Sequence, residues 1–258
     1  SLLLLQERRR RTFRMKAIVL AAGYATRLYP LTENFPKPLL NIGGSTILGR
    51  MLNDIDTIES IDEHIIVTNH RFAPIFEQWL QHQSYTKPIH VVDDGTSTNS
   101  TRLGAVGDLL LVLRQRNVDD DILLVAADNL LFFTFHDFVR FAKQKGTSCL
   151  MCHEQTDVEK LRRTGVITMN DAMRVLNMEE KPQQPQSHWA VPPFYLYTRH
   201  DLPLIHHALE NGCQNDAPGN LAHYMVSHVD MHAWIMNGGR FDIGSLDTYY
   251  QAVERFGH

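Results

Sequence analysis

The densest chemistry in the chain lies in the segment 20–40. An apolar strand at 17–20 ends in Ala21, Ala22 and Gly23, whose small side chains let backbone N–H groups approach phosphate oxygens. Arg27 and Lys37 then supply fixed positive charge, the complement of a polyphosphate such as a nucleoside triphosphate. Neither the Walker A pattern nor the dinucleotide Gly-x-Gly-x-x-Gly is present, so this is a different phosphate loop. Two carboxylates, distant in sequence, stand at strand ends. Asp128 closes the apolar run 122–127 and precedes Asn129, and Asp242 lies in Arg240-Phe241-Asp242-Ile243-Gly244 after a strand at 231–235. Ligands of open α/β sheets bind beyond the carboxyl ends of the strands. Mg²⁺ favours one or two carboxylates, with substrate phosphates and water completing its shell. A third element is Glu179-Glu180-Lys181-Pro182, where a strand ends in charge and a turn.

The elements that must hold these residues follow from periodicity. Strand-like and helix-like segments alternate: strand 17–20, helix 46–59, strand 64–68, helix 72–83, strand 89–92, a Gly/Ser/Thr-rich loop at 95–101, helix 105–116 and buried strand 122–126. Such alternation implies a mainly parallel, Rossmann-like sheet with helices on both faces. After a helix at 135–144 the pattern changes to consecutive strands at 147–151, 166–169, 175–179 and 193–197, which predicts an added antiparallel portion in a mixed sheet. Helices are expected at 202–210, 218–227 and 245–256, with the strand 231–235 between the last two. No internal repeat, low-complexity tract or interdomain linker appears, so residues 15–258 read as one domain and 1–14 as a tail ahead of Met15.

A net charge of −4 without a clustered basic face argues against nucleic acid as partner. The basic run at 8–11 follows the apolar residues 2–5, the wrong order for a secretory signal, and no later run approaches the roughly 18 apolar residues of a membrane span. Three cysteines give no disulfide framework and suit a cytoplasmic location. Cys149 and Cys152 lie in one strand, where positions three apart face opposite sides, so they read as two buried thiols. The fourteen histidines show no spacing that suggests zinc and are assigned to surface and packing roles.

The whole stretch 20–40 resembles the signature of the sugar-1-phosphate nucleotidyltransferases, which make nucleotide sugars such as dTDP-glucose, UDP-glucose and GDP-mannose. Ala25 stands where the family usually has a second glycine, and alanine does not easily take positive φ. The resemblance implies a transfer from a nucleoside triphosphate to a sugar-1-phosphate. It assigns Ala21, Ala22, Gly23, Asp94 and Gly104 to the nucleotide, Asp128 and Asp242 to Mg²⁺, Gly165 and Glu180 to the sugar, and Lys181 to the sugar phosphate. Arg27, Lys37, Asp128 and Lys181 are the implied catalytic set. Pro193 replaces a sugar-pocket glycine and removes an N–H donor, so sugar identity transfers least. The resemblance covers nearly all of 15–258 and admits a homo-oligomer.

This chemistry needs no covalent intermediate. The second pKa of a phosphate monoester is near 6, so the attacking oxygen is already largely anionic at neutral pH. Positioning and charge neutralisation remain for the protein. The place after strand 89–92, where thymidylyl-transferring relatives carry a base-reading glutamine, holds Asp93-Asp94. A carboxylate there accepts hydrogen bonds only, which would favour GTP, dTTP or UTP over ATP and CTP. Two alternatives stay open. One is transfer to a phosphorylated alcohol such as phosphocholine, with Trp189, Phe194 and Tyr195 as an aromatic box; the other is a catalytically silent nucleotide-sugar-binding regulator.

Overall fold

A computed structural model describes residues 14–257, so the basic run at 8–11 and nearly all of the expected tail lie outside the described residues. The chain begins with β1 (Met15–Leu20), then a small hairpin of β2 (Asn41–Ile42) and β3 (Ser45–Thr46), α1 (Ile47–Ile55) and β4 (Ile61–Thr68). Next come α2 (Ala73–Leu80), β5 (Ile89–Asp93), α3 (Ala105–Gln115), β6 (Asp121–Ala126), β7 (Asn129–Leu131), α4 (Phe135–Lys145) and β8 (Ser148–Glu154). The second half holds α5 (Val158–Leu161), β9 (Gly165–Met169), β10 (Val175–Glu180), β11 (Trp189–Val191), β12 (Phe194–Tyr197) and α6 (Leu202–His206). It closes with α7 (Pro218–Val226), β13 (Met231–Ile235), β14 (Arg240–Asp242) and α8 (Leu246–Phe256).

The main sheet runs β10-β9-β11-β8-β12-β6-β1-β4-β5, with β13 added beside β8. Strands β6, β1, β4 and β5 are mutually parallel, as the strand–helix alternation predicts. β12 enters antiparallel to β6, and β9, β10 and β11 are joined by antiparallel pairing. β12 and β11 share one edge of β8, at Cys149–Leu150 and at His153–Glu154, while β13 takes the other edge in parallel. The architecture is thus a mixed, mainly parallel central sheet with helices and an antiparallel extension.

Both faces of the sheet are buried, which is why its central strands are nearly continuous Ile, Leu and Val. Ile18, Ile65, Leu124 and Leu150 pack toward α3 and α7; Val19, Ile66, Leu123 and Met151 pack toward α1 and α4. Cys149 and Cys152 fall on these two opposite faces, and burial pushes both thiols up to about 12, far from thiolate chemistry. Local sequence sets the helix ends. Thr46 Oγ1 accepts from Gly49 N (2.9 Å) at α1, Thr134 Oγ1 accepts from His136 N (3.2 Å) at α4, and Ser245 with Thr248 forms a capping box at α8. α4 ends at Gly146 in the left-handed region. Among the described residues no helix is long and apolar enough to cross a membrane.

Several elements differ from expectation. The helix expected over 46–59 stops at Ile55, because the next residue, Asp56, turns to receive hydrogen bonds from Thr86 and Lys87. The helix expected over 202–210 stops at His206, and the chain folds back so that Cys213 N reaches Ala208 O (2.9 Å). The pairs β2–β3 and β7–β14 were absent from the periodicity, being too short to show alternation. Gly43-Gly44, both at positive φ, is the two-residue turn that closes the first of them.

Asp56 joins α1 to β4 and β5. Its Oδ1 lies 2.9 Å from His64 Nε2 and accepts from Lys87 N, while Oδ2 accepts from Thr86 N (2.7 Å) and Thr86 Oγ1 (2.9 Å). Burial lowers the fully buried His64, so the neutral imidazole donates from Nε2 and leaves Nδ1 bare. Burial alone would raise Asp56, but the bonds from Thr86, His64 and Lys87 overcome it and hold the carboxyl at about 2. Asp56→Ala should therefore cost about 2–4 kcal/mol at neutral pH in urea unfolding, since it strands several buried donors. The unfolded carboxyl titrates near 4, so the stability that Asp56 contributes is present above that pH and fades as pH falls toward 2. The gap between wild type and Asp56→Ala should narrow over that interval.

Candidate active site

β1 delivers the chain to Ala21 at the carboxyl edge of the sheet, and β4 holds it there. Ala21 N donates to Val67 O (2.9 Å), Thr68 Oγ1 donates to Ala21 O (3.0 Å), and Asn69 Nδ2 donates to Ala22 O (3.0 Å). The carbonyls of the loop are thereby turned inward. The N–H groups of Ala22, Gly23 and Tyr24 donate to no other described residue, and a β-carbon at Gly23 would meet open space. Successive outward N–H groups of this kind form an anion-binding concavity. Ala25 takes φ 46 and ψ 47, the left-handed conformation of the missing glycine. Its carbonyl accepts from Leu28 N (2.9 Å) and Thr32 Oγ1 (2.8 Å), which fixes the turn that presents Arg27.

The two predicted aspartates meet across a ribbon that was not predicted. β14 pairs antiparallel with β7, setting Asp242 opposite Asn129, and Ile243 N donates to Asp128 O (3.1 Å). Lys37, only 11 % exposed, places Nζ 3.7 Å from Asp128 Oδ2. Asn129 Nδ2 donates to Asp128 Oδ1 (2.6 Å), and Arg240 Nη1 donates to Asn129 Oδ1 (2.6 Å). Gly244 keeps the space before the aspartate open: a β-carbon there would lie 3.2 Å from Asp242 Oδ2 and 3.9 Å from Arg27 Nη2. Arg27, Lys37, Asp128 and Asp242 thus converge on one cleft. Asn129 and Arg240 belong to the cluster but were missed as site residues. The sequence signal for Arg240 was its spacing of two from Asp242, which puts both on one strand face.

Asp242 opens to the cleft but is walled by protein, and burial followed by the charge of Asp128 pushes its carboxyl up, against Lys37, Arg240 and Arg27. Two hard oxygen donors carrying surplus negative charge fit Mg²⁺, which needs no third protein ligand when phosphates and water complete its shell. In keeping with that, no group of three or more His, Cys, Asp or Glu suited to a metal forms among the described residues.

The third predicted element ends β10. Glu180 pairs with Gly165 across the β9–β10 ladder, and its carboxyl is raised by burial against the opposing charges of Lys181 and His223. Lys181 is exposed at φ 50, and its N–H donates to Thr164 O (3.0 Å). Gly165 admits Glu180 itself, because a β-carbon there would lie 3.1 Å from Glu180 Oε2 and 2.8 Å from Met178 Cε.

On the expected base side, Asp94 is 9 % exposed and its Oδ1 accepts from Thr96 N and Thr96 Oγ1, both at 2.7 Å. Its Oδ2 and the Oδ1 of Asp108 on α3 are buried without another donor. Burial, then the charge of Asp94, pushes Asp108 up to about 8, so one proton between the two carboxyls satisfies both. Gly104 opens α3 at φ 82, pressed against Asn215, whose carbonyl and side chain cap Val106 N and Gly107 N. The aromatic box does not assemble: Phe194 and Tyr195 are buried on opposite faces of the sheet, and Trp189 stacks with His188 instead.

Comparison with known proteins places the chain in a family. The family model described as nucleotidyl transferase matches residues 16–257. A UTP–glucose-1-phosphate uridylyltransferase of Haloferax volcanii is 28 % identical over 250 residues, covering 93 % of this chain and 96 % of its own. A glucose-1-phosphate thymidylyltransferase of Neisseria meningitidis is 28 % identical over 190 residues, covering 71 % and 61 %. A crystal structure of UDP-glucose pyrophosphorylase complexed with UDP-glucose superposes with a TM-score of 0.78 at 19 % identity, covering 93 % of this chain and 97 % of the other, a likeness of fold.

The Asp94–Asp108 pair yields a prediction with a definite sign. Asp108 keeps its proton in the folded protein to about pH 8 but loses it near pH 4 when unfolded, so folding is penalised increasingly as pH rises through that interval. Asp108→Asn substitutes a permanent N–H donor of nearly the same shape. Its melting temperature relative to wild type should rise between pH 5 and pH 8 and then level off, as differential scanning fluorimetry across that range would show.

Proposed function

The chain belongs to the nucleotidyl transferase family, and from that premise we propose that it transfers a nucleotidyl group from a nucleoside triphosphate to a sugar-1-phosphate, releasing pyrophosphate. The convergence of Arg27, Lys37, Asp128 and Asp242 on one cleft, beside the outward amides of 22–24, is the observation that carries the reading. Both relatives described above carry glucose-1-phosphate in their names but differ in the base, uridylyl in one and thymidylyl in the other.

In the step itself an anionic oxygen of the sugar phosphate forms a bond to the α-phosphorus while the bond from that phosphorus to the bridging oxygen breaks, and pyrophosphate leaves with the electron pair. No proton must move. The amides of Ala22, Gly23 and Tyr24 and the guanidinium of Arg27 bind the triphosphate. Lys37, held against Asp128, faces the transferred group, and Lys181 orients the attacking phosphate. Glu180 accepts a hydroxyl of the sugar, while Asp94 holds the turn that leads to Gly104 on the base side. Mg²⁺, which Asp128 and Asp242 would hold, supplies charge neutralisation on the phosphates. Phosphocholine is the weaker acceptor reading, because Phe194 and Tyr195 are not available to box a quaternary ammonium.

Pyrophosphate release, measured for five nucleoside triphosphates against a panel of sugar-1-phosphates with choline phosphate and glycerol phosphate included, tests the proposal. Release should require a sugar-1-phosphate and Mg²⁺ together. Preference for choline phosphate would refute the sugar assignment, and silence across the matrix would favour a regulatory binding role. In the same assay Asp128→Asn and Asp242→Asn should each lower kcat by about 10²–10⁴-fold with an unchanged thermal melt, since each removes one charge from a solvent-facing cleft rather than from the core. Loss of activity in proportion to loss of fold would reassign both residues to structure.

A further inference from the structure

The carboxylate of Glu180 lies between two glycines from different elements. One is Gly165 at the start of β9; the other is Gly219, the second residue of α7. A β-carbon at 219 would overlap Glu180 Oε2 and stand 2.6 Å from Glu180 Cδ. Gly219 has ordinary helical backbone, not positive φ, so its conformation would suit any residue. Glycine is also the poorest helix former after proline, and the three heavy atoms nearest that β-carbon all belong to Glu180. Glycine at 219 provides room for the glutamate.

We propose that Gly219 is a positioning residue for the acceptor site, holding the Glu180 carboxylate at the start of α7 so that it presents a fixed hydrogen-bond acceptor to a hydroxyl of the sugar. The proposal rests on the reading of Glu180 as a sugar contact. A methyl group at 219 would drive the carboxylate away from α7 and Gly165. The phosphate loop, Lys37 and the paired aspartates lie on other elements and would be undisturbed. Three groups face the glutamate electrostatically: Lys181 beside it on the chain, His223 from α7, and Tyr195 from β12.

Two measurements on the full chain decide the matter. The first is a double-mutant cycle of Gly219→Ala and Glu180→Ala in the pyrophosphate assay. Gly219→Ala should raise KM for the sugar-1-phosphate about tenfold, with kcat and KM for the triphosphate within about twofold. In the Glu180→Ala background it should have little further effect, because truncation at 180 leaves neither the contact nor a group to displace. The second needs no substrate. The Glu180 carboxyl, followed by carbon-13 NMR and assigned with Glu180→Gln, should titrate at lower pH in Gly219→Ala, because the displaced group regains water. An undiminished KM effect of Gly219→Ala in the Glu180→Ala background, or an unmoved Glu180 titration in a folded Gly219→Ala protein, would overturn the proposal. If no sugar phosphate is a substrate the functional reading fails, and the titration alone then decides whether Gly219 positions Glu180.

Discussion

Mutual repulsion between Asp128 and Asp242 is the constraint around which the cleft is arranged. Neither carboxylate can retreat: Asp128 O is bonded to Ile243 N, and Asp242 is registered opposite Asn129 by the β7–β14 ribbon. The surrounding side chains answer the charge without cancelling it. Lys37 stands at 3.7 Å, longer than a hydrogen bond, and Arg240 reaches Asp128 only through Asn129. A tighter ion pair would occupy the carboxylate oxygens that a divalent cation requires. The residual repulsion leaves the carboxylate oxygens free for the cation that the proposed reaction would use.

The backbone carries strain in two turns beside predicted site residues. Ala25 and Lys181 both adopt positive φ, a conformation costing a non-glycine residue of order 1–2 kcal/mol. Each is held by named bonds: Ala25 O accepts two, and Lys181 N donates to Thr164 O. At about 0.5–1.5 kcal/mol per bond, these bonds are of the size needed to keep the turns closed. Both turns aim a cation, Arg27 in one case and Lys181 in the other. β1, β4 and β10 supply the frame from which both turns leave.

Much of this was legible in the sequence because it is local. The parallel half follows from strand–helix alternation, and the phosphate loop from small residues between an apolar strand and two cations. Asp128 was readable as the end of a buried strand. What escaped was non-local or too short to show a period. β7 and β14 have three residues each, and only their pairing brings Asp242 to Asp128. Asp94 reads as an acceptor for the base until α3 folds Asp108 against it. Phe194 and Tyr195 read as neighbours in a box, yet adjacent strand residues face opposite sides. Gly219 carries no signal in sequence, following Pro218 at a helix start, and only the path of Glu180 explains it.

The fold contains two aspartate pairs that solve the same electrostatic problem differently, and the difference locates function. Asp94 and Asp108 are buried among Thr96, Tyr24 and the apolar face of α3, with no cation in direct contact among the described residues, so a proton is the counter-ion that fits. Asp242 instead has Lys37, Arg240 and Arg27 around it, whose positive charge opposes the upward push of burial and of Asp128 on its carboxyl. A pair that would receive a metal and phosphates in the proposed reaction suits such neighbours; a pair that only has to hold a turn does not need them. Placing the cations at one pair and withholding them from the other sets a structural tie apart from the pair the proposed reaction would use.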